Sequence, residues 1–172
     1  VRKIPVFVSC PTELNPDQEQ KRKVIIDLLD DLQMEARALG KSDYPKSYPL
    51  KEVFVIAKHC SGGVILGFEQ LVLETGIKKR GTLSEEKIKT GGKPIILPTQ
   101  WNNLEAGILF GLKLPLLIFK EDGVDGGVFD YGITDVFIHT MPPVNPSREK
   151  MEELKQVFLI WHGEVSKKYY EY

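Results

Sequence analysis

Ser61-Gly62-Gly63-Val64-Ile65-Leu66-Gly67 places an apolar run between glycines, with no polar residue at either parity of Val64 to Leu66. A strand that meets water on one side alternates apolar and polar residues, whereas a run apolar on both faces is covered on both. Val64 to Leu66 therefore predicts a central parallel strand. Just upstream, Leu50, Val53, Phe54, Ile56 and Ala57 recur at helical spacing, and Ser61-Gly62-Gly63 breaks that helix before the strand begins.

The same alternation extends in both directions. Ile4 to Cys10 is apolar and β-branched between Pro5 and Pro11, which predicts a short buried strand followed at once by a loop. Asn15-Pro16-Asp17-Gln18 supplies an N-cap, a proline at the first helical position and a polar first turn. Val24, Ile25, Leu28, Leu29 and Leu32 then mark a long amphipathic helix. Met34 to Leu39 alternates and ends at Gly40, predicting a short strand that leads into the polar loop Lys41-Ser42-Asp43-Tyr44-Pro45.

Downstream, Phe68 to Lys93 carries two turn signals, Lys78-Lys79-Arg80-Gly81 and Lys89-Thr90-Gly91-Gly92-Lys93, and is expected to form an insertion or flap at 68–93. Trp101 to Gly111 predicts a helix with Leu104, Ile108 and Phe110 inward and Gly111 at its end. Leu114 to Phe119 predicts another apolar strand, Gly123 to Gly132 a Gly- and Asp-rich loop, and Asp135 to His139 a last strand. Pro146-Ser147 opens a final helix over 147–170, striped by Met151, Leu154, Phe158, Trp161 and Val165. The expected fold is a single α/β domain over 1–172, a flavodoxin-like three-layer arrangement with a mostly parallel central sheet and helices on both faces.

Composition excludes several classes of function. A net charge of −1 lacks the basic face that grips nucleic acid. No apolar run reaches the roughly 18 residues of a membrane span, and no export signal is visible at the start, so a cytoplasmic protein without a membrane partner is expected. Cys10 and Cys60 have neither CxxC nor Cys/His spacing and are expected as thiols in or near the core; His59, His139 and His162 are scattered, so no metal site is expected.

In open parallel sheets, ligands bind beyond the carboxyl ends of the strands. That directs attention to Ser9-Cys10-Pro11, Gly40 to Tyr44, Gly67-Phe68-Glu69, Gln100 to Glu105 and Glu121 to Gly123. Glu105 is the candidate reaction centre. It follows Thr99, Trp101 and two asparagines, sits beside small residues, and comes after an apolar run read as a buried strand of the βα series. The plain alternative is a first-turn carboxylate favoured by the helix dipole.

These residues resemble the TIR domain, a signalling and NAD-cleaving module of immunity proteins. Val6-Phe7-Val8-Ser9 is similar to its first-strand box, and Asp43-Tyr44-Pro45 with the following helix and strand is similar to its second. Trp101, Glu105 and Thr99 reproduce its catalytic spacing, while Asn102 stands where the family has Cys and Ile96 where it has a second Ser. The Glu-Ala-Gly helix start also resembles the nucleoside 2-deoxyribosyltransferases. Both families break an N-glycosidic bond.

The resemblance implies an enzyme that hydrolyses or cyclises NAD, with NAD as substrate rather than cofactor, self-association into a homo-oligomer, and a setting such as bacterial antiviral signalling. It implies Glu105 as catalytic, with Ser9, Cys10, Asp43, Tyr44, Phe68, Thr99, Trp101 and Asn102 lining the substrate site. A nucleoside deoxyribosyltransferase or hydrolase is the second reading, and a non-catalytic module binding a nucleotide or another TIR-like domain is the third. The first two share a physical logic: losing nicotinamide or a base builds positive charge on the ribose ring, which a fixed carboxylate stabilises.

Overall fold

The computed structural model describes residues 2–39 and 48–171. The chain runs β1 (Ile4–Ser9), α1 (Pro16–Asp31), β2 (Met34–Arg37), α2 (Pro49–Lys58), β3 (Gly63–Gly67), β4 (Leu71–Leu73) and β5 (Gly76–Lys78). It continues with β6 (Glu86–Ile88), β7 (Ile95–Leu97), α3 (Gln100–Gly111), β8 (Leu116–Lys120), a 3₁₀ turn (Gly127–Phe129), β9 (Ile138–Thr140) and α4 (Arg148–Tyr170). Among the described residues, β2, β1, β3, β8 and β9 form one sheet in that order, with every pairing parallel. This is the flavodoxin-like strand order, with its reversal between β1 and β3.

The period-two alternation of strands sorts the core into two halves. Ile4, Val6 and Val8 of β1, Val64 and Leu66 of β3, and Leu117 and Phe119 of β8 face α1 and α4. Phe7, Ile65, Leu116 and Ile118 face α2 and α3. Ser9 shares the parity of Phe7, so the strand's own pleat aims it at α3. Local chemistry starts the helices as the sequence requires. Asn15 Oδ1 accepts from Gln18 N at 2.9 Å while Gln18 Oε1 accepts from the Asn15 N–H at 3.1 Å, closing a capping box at α1. Ser147 caps α4, whose stripe buries Leu154, Phe158, Trp161 and Val165.

Several expectations are corrected. Ile95–Leu97 does not join the central sheet. It pairs antiparallel with β4 as a two-stranded stem, and β5 and β6 form a separate hairpin beyond it. All of 69–99 is thus inserted in the β3-to-α3 connection, and Phe68 before it belongs to the core. In α3 the inward face is Asn102, Ala106 and Leu109, while Leu104 and Phe110 are each 49% exposed. The helix itself ends at Gly111, as expected, and the turn that follows is made by Lys113, at φ 56°. The last strand begins at Ile138, three residues later than its apolar pattern suggested, and Phe137 is exposed.

The loop between β8 and β9 takes the place of a crossover helix and is tied down in its first half. Val124 bridges to Ile96, and Asp125 N donates to Ile96 O at 3.1 Å. Phe129 lies on Gly67, where an added Cβ would come within 2.5 Å of the ring. Gly67→Ala is therefore expected to force the Phe129 ring aside and lower stability by about 1–3 kcal/mol, the usual cost of overpacking. Urea unfolding of the variant measures it.

Candidate active site

The carboxyl end of β1 meets the first two turns of α3 at the point where the strand order reverses. Ser9 and Asn102 are both fully buried there, and Glu105 is partly buried. Asn102 and Glu105 are three residues apart and therefore share a helix face. Asn102 Nδ2 donates to Ser9 Oγ at 2.9 Å and lies 3.4 Å from the Ser9 carbonyl oxygen, and Ser9 Oγ donates in turn to Glu105 Oε2. Because Asn102 occupies an acceptor site on the hydroxyl, the single Ser9 proton is directed at Glu105. Asn102 Oδ1 is buried and has no hydrogen-bond partner among the described residues.

Glu105 is not a first-turn carboxylate. The cap is Thr99, no acidic residue lies in the first turn, and the dipole's influence fades beyond it. Burial dominates its electrostatics and pushes its pKa up from 4.5 to about 7, with the Ser9 hydrogen bond pulling the other way. Removing that donor makes Ser9→Ala raise the Glu105 pKa further, which carboxyl-carbon NMR titration would detect; an unchanged or lower value would contradict the hydrogen bond's role.

A second carboxylate at the same edge behaves oppositely. Glu121 accepts from Lys21 Nζ at 2.8 Å, Gln18 Nε2 at 3.0 Å and the Glu69 N–H at 2.8 Å. Burial raises its pKa, yet the Lys21, Glu69 and Gln18 bonds outweigh that and hold it below the ordinary carboxylate range. Glu121 is a satisfied brace joining α1, β8 and the root of the insertion. Of these two carboxylates at one edge, Glu105 is the one that burial leaves without a cationic partner among the described residues, which makes it the candidate.

Of the residues the sequence singled out, the structure brings Ser9, Asn102 and Glu105 together. Trp101 lies one turn before Glu105 on the neighbouring flank and is 42% exposed, so its indole is open to a ligand. Thr99 serves as the cap, its Oγ1 accepting from Trp101 N at 3.3 Å. Phe68 does not reach the site, since it is fully buried in the half of the core facing α1 and α4, against which the partly buried Cys10 also packs. Asp43 and Tyr44 lie outside the described residues. Asn102, expected to touch substrate, is buried and acts on Ser9 instead.

Sequence reasoning missed Asn103, whose Oδ1 accepts from Val128 N at 2.9 Å and pins the 3₁₀ turn against α3. It also missed the joining of Gln18 and Lys21 to Glu121. Neither had a local signal, because each pair is far apart in the chain.

Compared with protein-family models, curated proteins and solved structures, the chain finds no match in any of the three. Fold and site together define a flavodoxin-like α/β domain with a carboxylate poised at its topological switch point. Among the described residues, no helix is long and apolar enough to cross a membrane.

Proposed function

We propose that the protein cleaves the N-glycosidic bond of NAD or a related nucleotide, with Glu105 stabilising the ribosyl cation that forms. The observation that carries this reading is the carboxylate itself, half withdrawn from water at the switch point and held by one directed hydroxyl. In a partly desolvated site its charge acts on the reaction more strongly than it would in water.

As the C1′–N bond breaks, its electron pair leaves with nicotinamide, which becomes neutral and needs no proton. Water or an internal nucleophile then bonds to C1′ and gives up its proton. No general acid is required for this leaving group, so the working form of Glu105 is the ionised one. Activity on NAD is accordingly expected to rise with pH through about 7, following the carboxylate. A rate profile that falls across that range would contradict the assignment. In this reading the exposed indole of Trp101 stacks on the nicotinamide or base. A nucleotide-consuming activity of this kind suits bacterial antiviral signalling.

Incubating concentrated protein with NAD and with a nucleoside panel, and resolving the products by chromatography, tests the reading, with Glu105→Gln as control. Nicotinamide release that the substitution abolishes supports it. Release or exchange of free bases from nucleosides alone would transfer the same carboxylate to a nucleoside transferase or hydrolase. Intact substrates throughout would sink both.

A further inference from the structure

Among the described residues, nothing covers the arm formed by the β5–β6 hairpin. Every residue from 74 to 87 is exposed, including Ile77 at 42% and the wholly exposed Leu83. A lone two-stranded hairpin is marginal in water. Its tip is nevertheless ordered: Lys79 and Gly81 take positive φ, Gly81 N donates to Glu85 Oε2 at 2.7 Å, and Thr82 Oγ1 donates to Lys79 O at 2.8 Å. The turn closed by these bonds presents Leu83 outward. Residues 74–93 carry six lysines and arginines against three glutamates in a chain whose total is −1, so the rest of the molecule is net negative. Of the six cations, only Lys78 is ion-paired among the described residues, with Glu86 at 3.8 Å.

At the other end of the sheet, a groove of about 1060 Å³ runs between the edge strand β9, the end of α3 and the second half of α4. Phe110, Phe137 and Ile160 line it and are 49%, 79% and 74% exposed, and Asp135 and Glu164 also line it, with Lys113 the one cation of Lys or Arg type there. Leu114 to Leu117 place it at the amino edge of β8, whereas the arm leaves from the carboxyl side, after β3.

We propose that the arm of one copy docks in this groove of a second copy. Leu83 seats among Phe110, Phe137 and Ile160, and Lys79 and Arg80 meet Asp135 and Glu164. Charge selects the pairing: two arms repel each other, while the groove's extra carboxylate and the net negative body attract an arm. Since arm and groove lie at opposite ends, the contact is head-to-tail and propagates beyond a dimer unless it closes into a ring. It is independent of any chemistry at Glu105.

Sedimentation velocity across a concentration series tests this on the whole chain. The wild type is expected to rise above its 19.5 kDa monomer mass with concentration. Leu83→Asp and Ile160→Asp should each weaken association about tenfold or more, as loss of a central anchor does. Both positions are exposed, and unchanged circular dichroism verifies the fold. Reversing the arm with K79E/R80E should abolish association, and adding D135K/E164K to the same chain should restore it. A wild type monomeric at every concentration, or association indifferent to Leu83→Asp and to Ile160→Asp, overturns the proposal. So does a monomer whose arm binds vesicles of anionic lipid through Leu83, which would give the arm a membrane instead.

Discussion

Glu105→Gln is expected to reduce N-glycosidic cleavage by about 10³-fold while leaving the fold intact, a loss of the size seen when one preorganised electrostatic group is removed. The substitution keeps the shape of the side chain and an oxygen able to accept from Ser9, so the arrangement at the end of β1 is preserved. What disappears is the negative charge that stabilises the ribosyl cation. The loss should appear in kcat and kcat/KM alike, because the substrate's positive charge sits on the nicotinamide ring in the ground state and moves onto the ribose, beside the carboxylate, only as the bond breaks. An activity within tenfold of the wild type would remove Glu105 from the mechanism.

The same substitution is expected to stabilise the protein, and only at the pH where the enzyme works. Folded Glu105 titrates near 7 and the unfolded group near its ordinary 4.5. Below 4.5 both states hold the proton and the shift has no effect. Between the two values the folded state retains a proton that the unfolded state releases, so wild-type stability is lost as pH climbs from about 4.5 to about 7. The shift corresponds to a loss on the order of 3 kcal/mol above pH 7. Gln, with no charge to desolvate, escapes it. Urea unfolding of both proteins should give nearly equal stabilities at pH 4.5 and a clear advantage for Glu105→Gln at pH 8. Comparing the pair cancels the other titrating groups. A constant difference across that range would mean the carboxylate is not desolvated in the folded protein.

The sheet was legible because its strands report burial in their own composition. Val64 to Leu66 is apolar at both parities, and both parities are covered in the structure. Helix starts were legible where the first turn carries a complete local device, as at Asn15-Pro16 and Ser147. The apolar run at Ile95–Leu97 misled because three apolar residues pack as well in a partly buried stem as in a sheet, and only the partner, β4, decides between them. In α3, Leu104 and Phe110 suggested the wrong inward face. Asn102 is polar, yet it is fully buried because Ser9, at the end of β1, accepts its amide hydrogen. Glu105 was found from its neighbours in sequence, but its contact with Ser9, 96 residues away, had no sequence signal beyond strand parity. Phe68 was misplaced by proximity along the chain: it follows a strand end on the correct edge and turns to the opposite face.

The β4–β7 stem brings Leu73 and Ile95 side by side, so the chain returns next to the place where it left. Everything between them forms a closed excursion whose ends are fixed by the stem. Doubling the length of such a loop costs only about 0.6 kcal/mol in closure entropy. The stem therefore insulates α3, and with it Glu105, from whatever the excursion contains. Arm and chemistry can diversify separately in descendants of this sequence: the arm can be shortened, lengthened or exchanged for another binding element without re-aiming a single side chain at the switch point.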